Sequence, residues 1–379
     1  MNKIPLFEIM WDKNDITSLN NKIKSGKYWS SGPEIELLEN KITKILRIRN
    51  CKVFNSGGSA LYCLMKAYGF RPGDEIIVPA FTFIATAFAP MYVKAKPVFC
   101  DIEKETFGLE PNDILNKITS KTKAVIPIHY GGMPCKIDKI KKICDENNLI
   151  LIEDAAQSFG ASYNNKKVGT FGDSAIFSFC QNKIFTTGEG GCVVTNNQIL
   201  DNKVELLRSY GRTSGGNYFY NPENIDYIEV GYNFRMASIL ATLGLSQIEK
   251  IDKNIKIRRK NAKLYSKLLE DVNDITIPFR ENDGRYNVYQ MYPLRINNGK
   301  ETRNKLISFL ERYGISSRIY FEPLYKYSIF NKTHKKNYLK NTEELSSEII
   351  TLPMSACITS KQINFIANKI IEFFRRENH

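Results

Sequence analysis

At 379 residues the chain is long enough for one large domain with a smaller one beside it. Hydrophobic residues at 42% and charged residues at 25% exclude an extended disordered chain and fit a soluble protein with a substantial core. The net charge of +14 makes anions natural partners, but the densest basic stretch, residues 253–270, also carries apolar residues at helical spacing; it reads as a solvated helix face, and no nucleic-acid partner is expected.

In chain order, the opening MNKIPLFEIMWDKND has no continuous apolar core, so no secretory signal is expected and the protein is placed in the cytoplasm. The strand-like CKVFN (51–55) is followed by the helical SGGSALYCLMKAYGF. Residues 76–93, IIVPAFTFIATAFAPMYV, are long enough to raise a membrane span. Pro79, Pro90 and the β-branched residues at the start favour a buried strand, a turn and a buried helix instead. PVFCD (97–101), AVIPIHY (124–130), LILIEDA (149–155), SAIFSF (174–179) and GCVVTN (191–196) continue the strand series with helical patterns between them. Short buried strands separated by helices predict an α/β fold with a largely parallel sheet covered on both faces. Ligands of such sheets gather beyond the carboxyl ends of the strands. From about residue 235 the pattern changes to a long helical stretch (236–270), the strand-like ITIPF and YNVYQMYPLRI (286–296), and helices near 301–313 and 360–376. This predicts a large domain over 1–250 and a smaller α+β domain over 251–379.

Eight scattered cysteines without a CxxC pair read as reduced thiols. Three histidines, at 129, 334 and 379, form no ligand cluster with them, so no metal site is expected.

Three stretches carry candidate chemistry. NSGGSALYCLM (55–65) puts Gly57, Gly58 and Ser59 at a turn opening a helix, where free backbone N–H groups and the positive end of the helix dipole make an anion site. A plain glycine-rich strand-to-helix turn explains it equally well. LILIEDAAQSFGA (149–161) leaves Asp154 at a strand end, as a helix cap or as the partner of a buried cation. FSFCQNKIFTTGEGG (177–191) sets Lys183 between a strand and a glycine-rich turn, with Ser178 inside the strand. A desolvated lysine becomes an amine nucleophile. An anion cradle, a strand-end acid and a lysine together suit pyridoxal phosphate.

The sequence resembles the DegT/DnrJ/EryC1/StrS family, the sugar aminotransferases of pyridoxal-phosphate fold type I. The resemblance runs through YWSSGPEIELLE (28–39), NSGGSAL, GDEIIVPAFTFIATA (73–87), HYGGMPC (129–135), EDAAQSFGA, VGTFGDSAIFSF, NKIFTTGEGG, GYNFRMASILATLGLSQIE (231–249) and LPMSACIT (352–359), in order and across nearly the whole chain. It implies an aspartate-aminotransferase-like fold and pyridoxal 5'-phosphate as cofactor. Lys183 would form the Schiff base and shuttle protons, Asp154 would pair with the pyridine nitrogen, Gln157 would lie near the ring oxygen, and Ser178 would bind phosphate. Phe83 would stack on the ring. Asn233 would reach the phosphate of the neighbouring subunit's cofactor, which implies a homodimer with composite sites. Many members have Gly-Thr where this chain has Gly57-Gly58, so a hydroxyl contact to phosphate is missing and Ser59 or backbone amides would replace it. L-glutamate would be the amino donor and a nucleotide-linked keto sugar the acceptor. KIFTTGEGG is closer to members acting at C4 of 4-keto-6-deoxy sugars than to C3 enzymes. Arg212, Arg235 and Arg318 are candidate anion contacts or else salt-bridged surface arginines, and Glu189 could approach the sugar or simply form the turn. Specificity is expected on the segments 210–225 and 316–326.

Two other readings compete. Relatives that dehydrate sugars carry histidine in place of the lysine, and Lys183 argues against that reaction; others aminate keto-cyclitols or free keto sugars. A non-catalytic sensor would have no need to retain Lys183, Asp154 and Gln157 together.

Overall fold

The computed structural model describes residues 3–213, 226–279, 283–330 and 338–377. Its centre is a seven-stranded sheet in the order β1-β9-β8-β5-β4-β2-β3. The strands are β1 (Asn50–Phe54), β2 (Glu75–Pro79), β3 (Lys96–Cys100), β4 (Thr122–Val125), β5 (Ile150–Asp154), β8 (Ser174–Ser178) and β9 (Gly191–Thr195). β3, β2, β4, β5 and β8 run parallel, while β9 lies antiparallel to both β8 and β1. The expected α/β fold with a mostly parallel sheet is therefore what the chain adopts. All seven predicted strands are present, because Ile, Val and Phe in these runs bury against helices on both faces.

The antiparallel β9 matters for the site. Its first residue, Gly191, pairs with Ser178 at the end of β8 and with Phe54 at the end of β1. One edge of the sheet thereby gathers the carboxyl ends of β1, β5 and β8. From that edge the chain enters α3 (Gly57–Tyr68) after β1, and α4 (Ile84–Tyr92) after β2. The 76–93 run is the strand, turn and helix expected, and among the described residues no helix is long and apolar enough to cross a membrane. AVIPIHY stops as regular strand at Val125, before Pro127, whose missing N–H cannot join a ladder. Pairing still continues irregularly, since Asp154 N donates to Pro127 O and His129 N to Asp154 O.

The predicted helix over 236–270 is two helices, α8 (Ser238–Ile248) and α9 (Ile251–Leu269). They pack on different neighbours: α8 on α1 (Lys13–Lys24) and α2 (Pro33–Leu46), α9 on the closing helix α12 (Ser360–Glu377). YNVYQMYPLRI is likewise split, between β11 (Arg285–Tyr286) and β12 (Tyr292–Ile296). The amides of Val288 and Met291 donate instead to Gly132 and Gly131. Gly132 permits that approach: it has φ +96, and a Cβ there would stand 2.9 Å from Gln290 N.

A second sheet, β10 (Ile275–Thr276), β12 and β13 (Ile349–Leu352), is antiparallel and has its own core with α10 (Gly299–Arg312), α12 and part of α9. Ile251 and Ile255 of α9 pack in the large-sheet core, whereas Ala262, Tyr265 and Leu269 pack in this second one. Ile4 joins it too, bridging to Ile315. Between them, α11 (Lys340–Glu348) is docked on β3: both Thr342 N and Asn341 N donate to Asp101, at 2.8 and 3.0 Å.

Candidate active site

The gathered strand ends open into a cavity of about 430 Å³. Gly57, Gly58, Phe83, Asp154, Gln157, Ser178 and Lys183, seven of the nine residues singled out from the sequence, line it together. The far wall comes from the second sheet's side: Gln290, Met291, Tyr320 and Phe321.

Ser56 caps α3, its hydroxyl accepting from Ser59 N at 3.0 Å. The first-turn amides of Gly57 and Gly58 have no acceptor within the helix, and with the dipole's positive end behind them they offer donors to an anion. Ser178 Oγ accepts from Cys180 N at 3.4 Å, which leaves the hydroxyl hydrogen for an anion. The cradle is built to close tolerance. A Cβ on Gly57 would come to 3.0 Å from Ser178 Cβ, and one on Gly191 to 2.6 Å from Gly57 N. Gly58 is different, since a Cβ there would meet only Ser56 Oγ at 3.8 Å. Space does not demand glycine at 58. Ser59 is not on the cavity wall: its hydroxyl donates to Asn55 Oδ1 at 2.5 Å, with Ser56 O 2.9 Å away. The serine beside the cradle is Ser56, which the sequence reading passed over.

Asp154, at the end of β5, accepts from Thr86 Oγ1 at 2.7 Å and from Ala156 N at 3.2 Å. Burial holds its carboxyl above the usual range, opposed by the Thr86 bond, the Ala156 amide and the Lys183 charge. Thr86, one turn into α4 and itself bonded to Thr82 at 3.0 Å, was invisible in the sequence. Its signal is only a hydroxyl on an otherwise apolar helix.

Lys183 follows β8 in a turn, its N–H donating to Cys180 O at 2.9 Å. Burial pushes its amine below the ordinary value, against Asp154, Cys180 and Glu189, which pull it up. Less of the amine is then protonated at neutral pH, and an unprotonated amine is a nucleophile. Glu189 lies at the mouth, exposed, with Cys180 Sγ 3.5 Å from its Oε1. Gln157 gives its oxygen to Gly131 N at 2.7 Å, so its NH2 is the end left to offer. Phe83 caps α4 and stands 60% exposed on the cavity wall, its ring face open to the cavity's contents.

His129 and Glu153 form the wall behind. His129 Nδ1 accepts from Cys135 N at 3.2 Å, which puts the ring proton on Nε2, 2.9 Å from Glu153. Glu153 also accepts the amides of Gly169, Phe171 and Gly172 at 2.6–2.8 Å. The two neighbouring carboxylates are divided: Glu153 is consumed by structure, and Asp154, the candidate helix cap or cation partner, faces the cavity.

Asn233 is outside this cavity. It is exposed and bridges to Ser209, beside a more open concavity of about 1180 Å³ that Arg212 and Arg235 line. Arg318 lines neither; its backbone pairs with Thr351. The 316–326 segment supplies Tyr320 and Phe321 to the wall, while 214–225 of the other segment lies outside the described residues, as do His334 and His379. No cluster of His, Cys, Asp or Glu among the described residues could hold a metal.

A glycine cradle with a serine hydroxyl, an exposed ring, a buried carboxylate and a depressed amine fit pyridoxal phosphate in its phosphate, ring face, ring nitrogen and aldehyde respectively. The chain is 34% identical to GDP-perosamine synthase of Vibrio cholerae over 98% of this chain and 99% of that one. It is 29% identical to dTDP-4-amino-4,6-dideoxy-D-glucose transaminase of Shigella dysenteriae, over 97% and 95%. Its structure matches Helicobacter pylori PseC, an aminotransferase of pseudoaminic acid biosynthesis, with TM-score 0.92, 28% identity and coverage of 99% and 100%. Residues 10–371 match a single family description throughout. The chain belongs to the DegT/DnrJ/EryC1/StrS aminotransferase family, whose cofactor is pyridoxal phosphate.

Proposed function

We propose that this protein transfers an amino group from L-glutamate to C4 of a nucleotide-linked 4-keto-6-deoxyhexose, as a cytoplasmic homodimer. The observation that carries the reading is the shared cavity in which a depressed lysine amine and a strand-end carboxylate stand beside an anion cradle. The acceptor is inferred from relatives whose names specify nucleotide-linked sugars, one with an amino group at position 4 of a 4,6-dideoxy sugar. A net charge of +14 suits a diphosphate-bearing substrate. All eight cysteines are free, as in a reducing compartment.

When bound, pyridoxal phosphate supplies an electron-accepting ring that lets a C–H bond next to nitrogen ionise. The chain's residues do the rest. Gly57 and Gly58 amides and the Ser178 hydroxyl hold the phosphate. Asp154, oriented by Thr86 and the Ala156 amide, would pair with the protonated ring nitrogen. Gln157 offers its NH2 to the ring oxygen, and Phe83 covers one face and excludes water. Lys183 accepts and returns the proton at the carbon being aminated. Asn233 sits among the exposed Tyr227, Ile228 and Val230, an apolar surface suited to a second copy of the chain, through which it would reach the partner's phosphate.

Borohydride treatment of the loaded protein, followed by peptide mapping, should fix the cofactor on Lys183. Glutamate should bleach the visible band, and a panel of keto-sugar nucleotides should yield an amino sugar by mass. Lys183→Ala should bind cofactor without turnover. A label on another residue, or near-normal turnover in that variant, would refute the assignment.

A further inference from the structure

The carbonyls on either side of Lys183 are held by side chains from distant parts of the chain. Gln290, between β11 and β12, donates from Nε2 to Asn182 O. Asn254, at the start of α9, donates from Nδ2 to Ile184 O. Both are nearly buried, at 5% and 7% exposure. Arg258, one turn along α9, ties them together: Nε donates to Asn254 Oδ1 at 3.0 Å, and Nη1 reaches the carbonyls of Tyr289, Gln290 and Met354 at 3.2–3.4 Å.

The peptide entering Lys183 is thus fixed at both ends, its carbonyl by Gln290 and its N–H by Cys180 O. The peptide leaving Ile184 is fixed by Asn254. A turn at a cavity mouth would ordinarily satisfy its carbonyls with water. Two buried amides and a buried guanidinium lose their own hydration to do it here, a cost that a mere connection does not require. Precise placement of one side chain does require it, because a misplacement of about 1 Å near the reacting atoms can cost about a hundredfold in rate.

We propose that Gln290 and Asn254, braced by Arg258, are positioning residues that set where the Lys183 amine stands and keep it out of bulk water. The inference rests on Lys183 carrying the chemistry, as proposed above. The charged and titratable groups acting on the amine are Asp154 from β5 and Cys180 and Glu189 from its own loop, and His129 and Tyr320 line the same cavity. Asp154, Cys180 and Glu189 raise the proton affinity of the amine; burial, which the clamp maintains, outweighs them. Freeing the turn hydrates the amine and returns it toward 10.5, its ordinary value.

Gln290→Met suits the test. Gln290 Oε1 is buried without a partner among the described residues, so methionine removes the donor to Asn182 without stranding another group. Asn254→Ala removes the other donor independently. In the full-length apoprotein, the rate of Lys183 acetylation by acetic anhydride is followed against pH by peptide mass. The midpoint should rise by about one pH unit in each variant. In the loaded enzyme, kcat of both half-reactions should fall about tenfold or more, with KM for glutamate within about twofold. Folded variants with the wild-type midpoint and kcat would overturn the proposal, as would losses that only track the unfolded fraction. If borohydride fixes nothing on wild-type Lys183, the aminotransferase reading falls, while the apoprotein titration still decides whether the clamp acts on the amine.

Discussion

Thr86→Val removes one hydroxyl, nearly isosterically, from the side chain that orients Asp154. The lost bond, 2.7 Å to Oδ2, is charge-assisted whenever Asp154 is ionised, and bonds of that kind contribute about 1.5–3 kcal/mol. At about 1.4 kcal/mol per tenfold, cofactor affinity should fall about 10–100-fold, and the acid limb of cofactor binding should move up by about one to two pH units. The apoprotein gives a second readout. Because burial raises Asp154 above 3.8, the folded chain holds a proton that the unfolded chain has lost between 3.8 and the folded value. Stability therefore falls as pH rises through that window. Thr86→Val extends the window upward, so its cost in urea unfolding should be small in acid and approach the full value only above the window. Thr86→Ser keeps the hydroxyl and should restore both readouts. Wild-type affinity with an unmoved acid limb in Thr86→Val would refute the argument that this hydroxyl keeps Asp154 charged.

If Asn233 completes the partner's site, Asn233→Ala and Lys183→Ala should each be nearly inactive alone, yet mixing and re-equilibrating them should restore about a quarter of wild-type activity, from the one intact site in each mixed dimer; no recovery despite subunit exchange counts against composite sites. Arg303 is fully buried, and its Nη1 donates to Ser346 O and Ile349 O at 3.0 and 3.1 Å, where α11 ends. Arg303→Met leaves those carbonyls unpaired and should lower stability by about 2–4 kcal/mol in urea unfolding. A change under about 0.5 kcal/mol would show that water replaces the guanidinium.

What was legible in the sequence was whatever local pattern determines. The seven strands announce themselves by apolar runs of about five residues between helical stretches, and a strand end is where a ligand-binding carboxylate is expected, so Asp154 and Lys183 could be picked out. The breaks could not. Nothing near Glu249–Lys250 signals that α8 and α9 serve different cores, and the split of YNVYQMYPLRI arises because Gly131 and Gly132, far away in sequence, take its amides. The same limit hid Thr86, His129 and Gln290. Each matters through a partner 24 to 108 positions away: Asp154 for Thr86, Glu153 for His129 and Asn182 for Gln290. Ser56 stayed hidden for a related reason, since only the cap geometry shows that it, and not Ser59, faces the cavity.

Glu153 and Asp154 are neighbours at one strand end, and the strand pattern by itself does not separate them; the family motif does. Alternation along a strand sends them to opposite sides. Glu153 meets three backbone amides and the Nε2–H of His129, so its oxygens are already taken by donors of the fold. Asp154 has one hydroxyl and one longer amide bond, which leave burial dominant and its carboxyl raised. A carboxylate so incompletely compensated gains most from a cation arriving in the cavity, and the gain is largest where water is already excluded. Had the three amides been aimed at Asp154 instead, the acid would be stable alone and indifferent to a protonated ring. The shortfall around Asp154 is what makes it responsive, and the surplus around Glu153 keeps the adjoining wall from competing for the same positive charge.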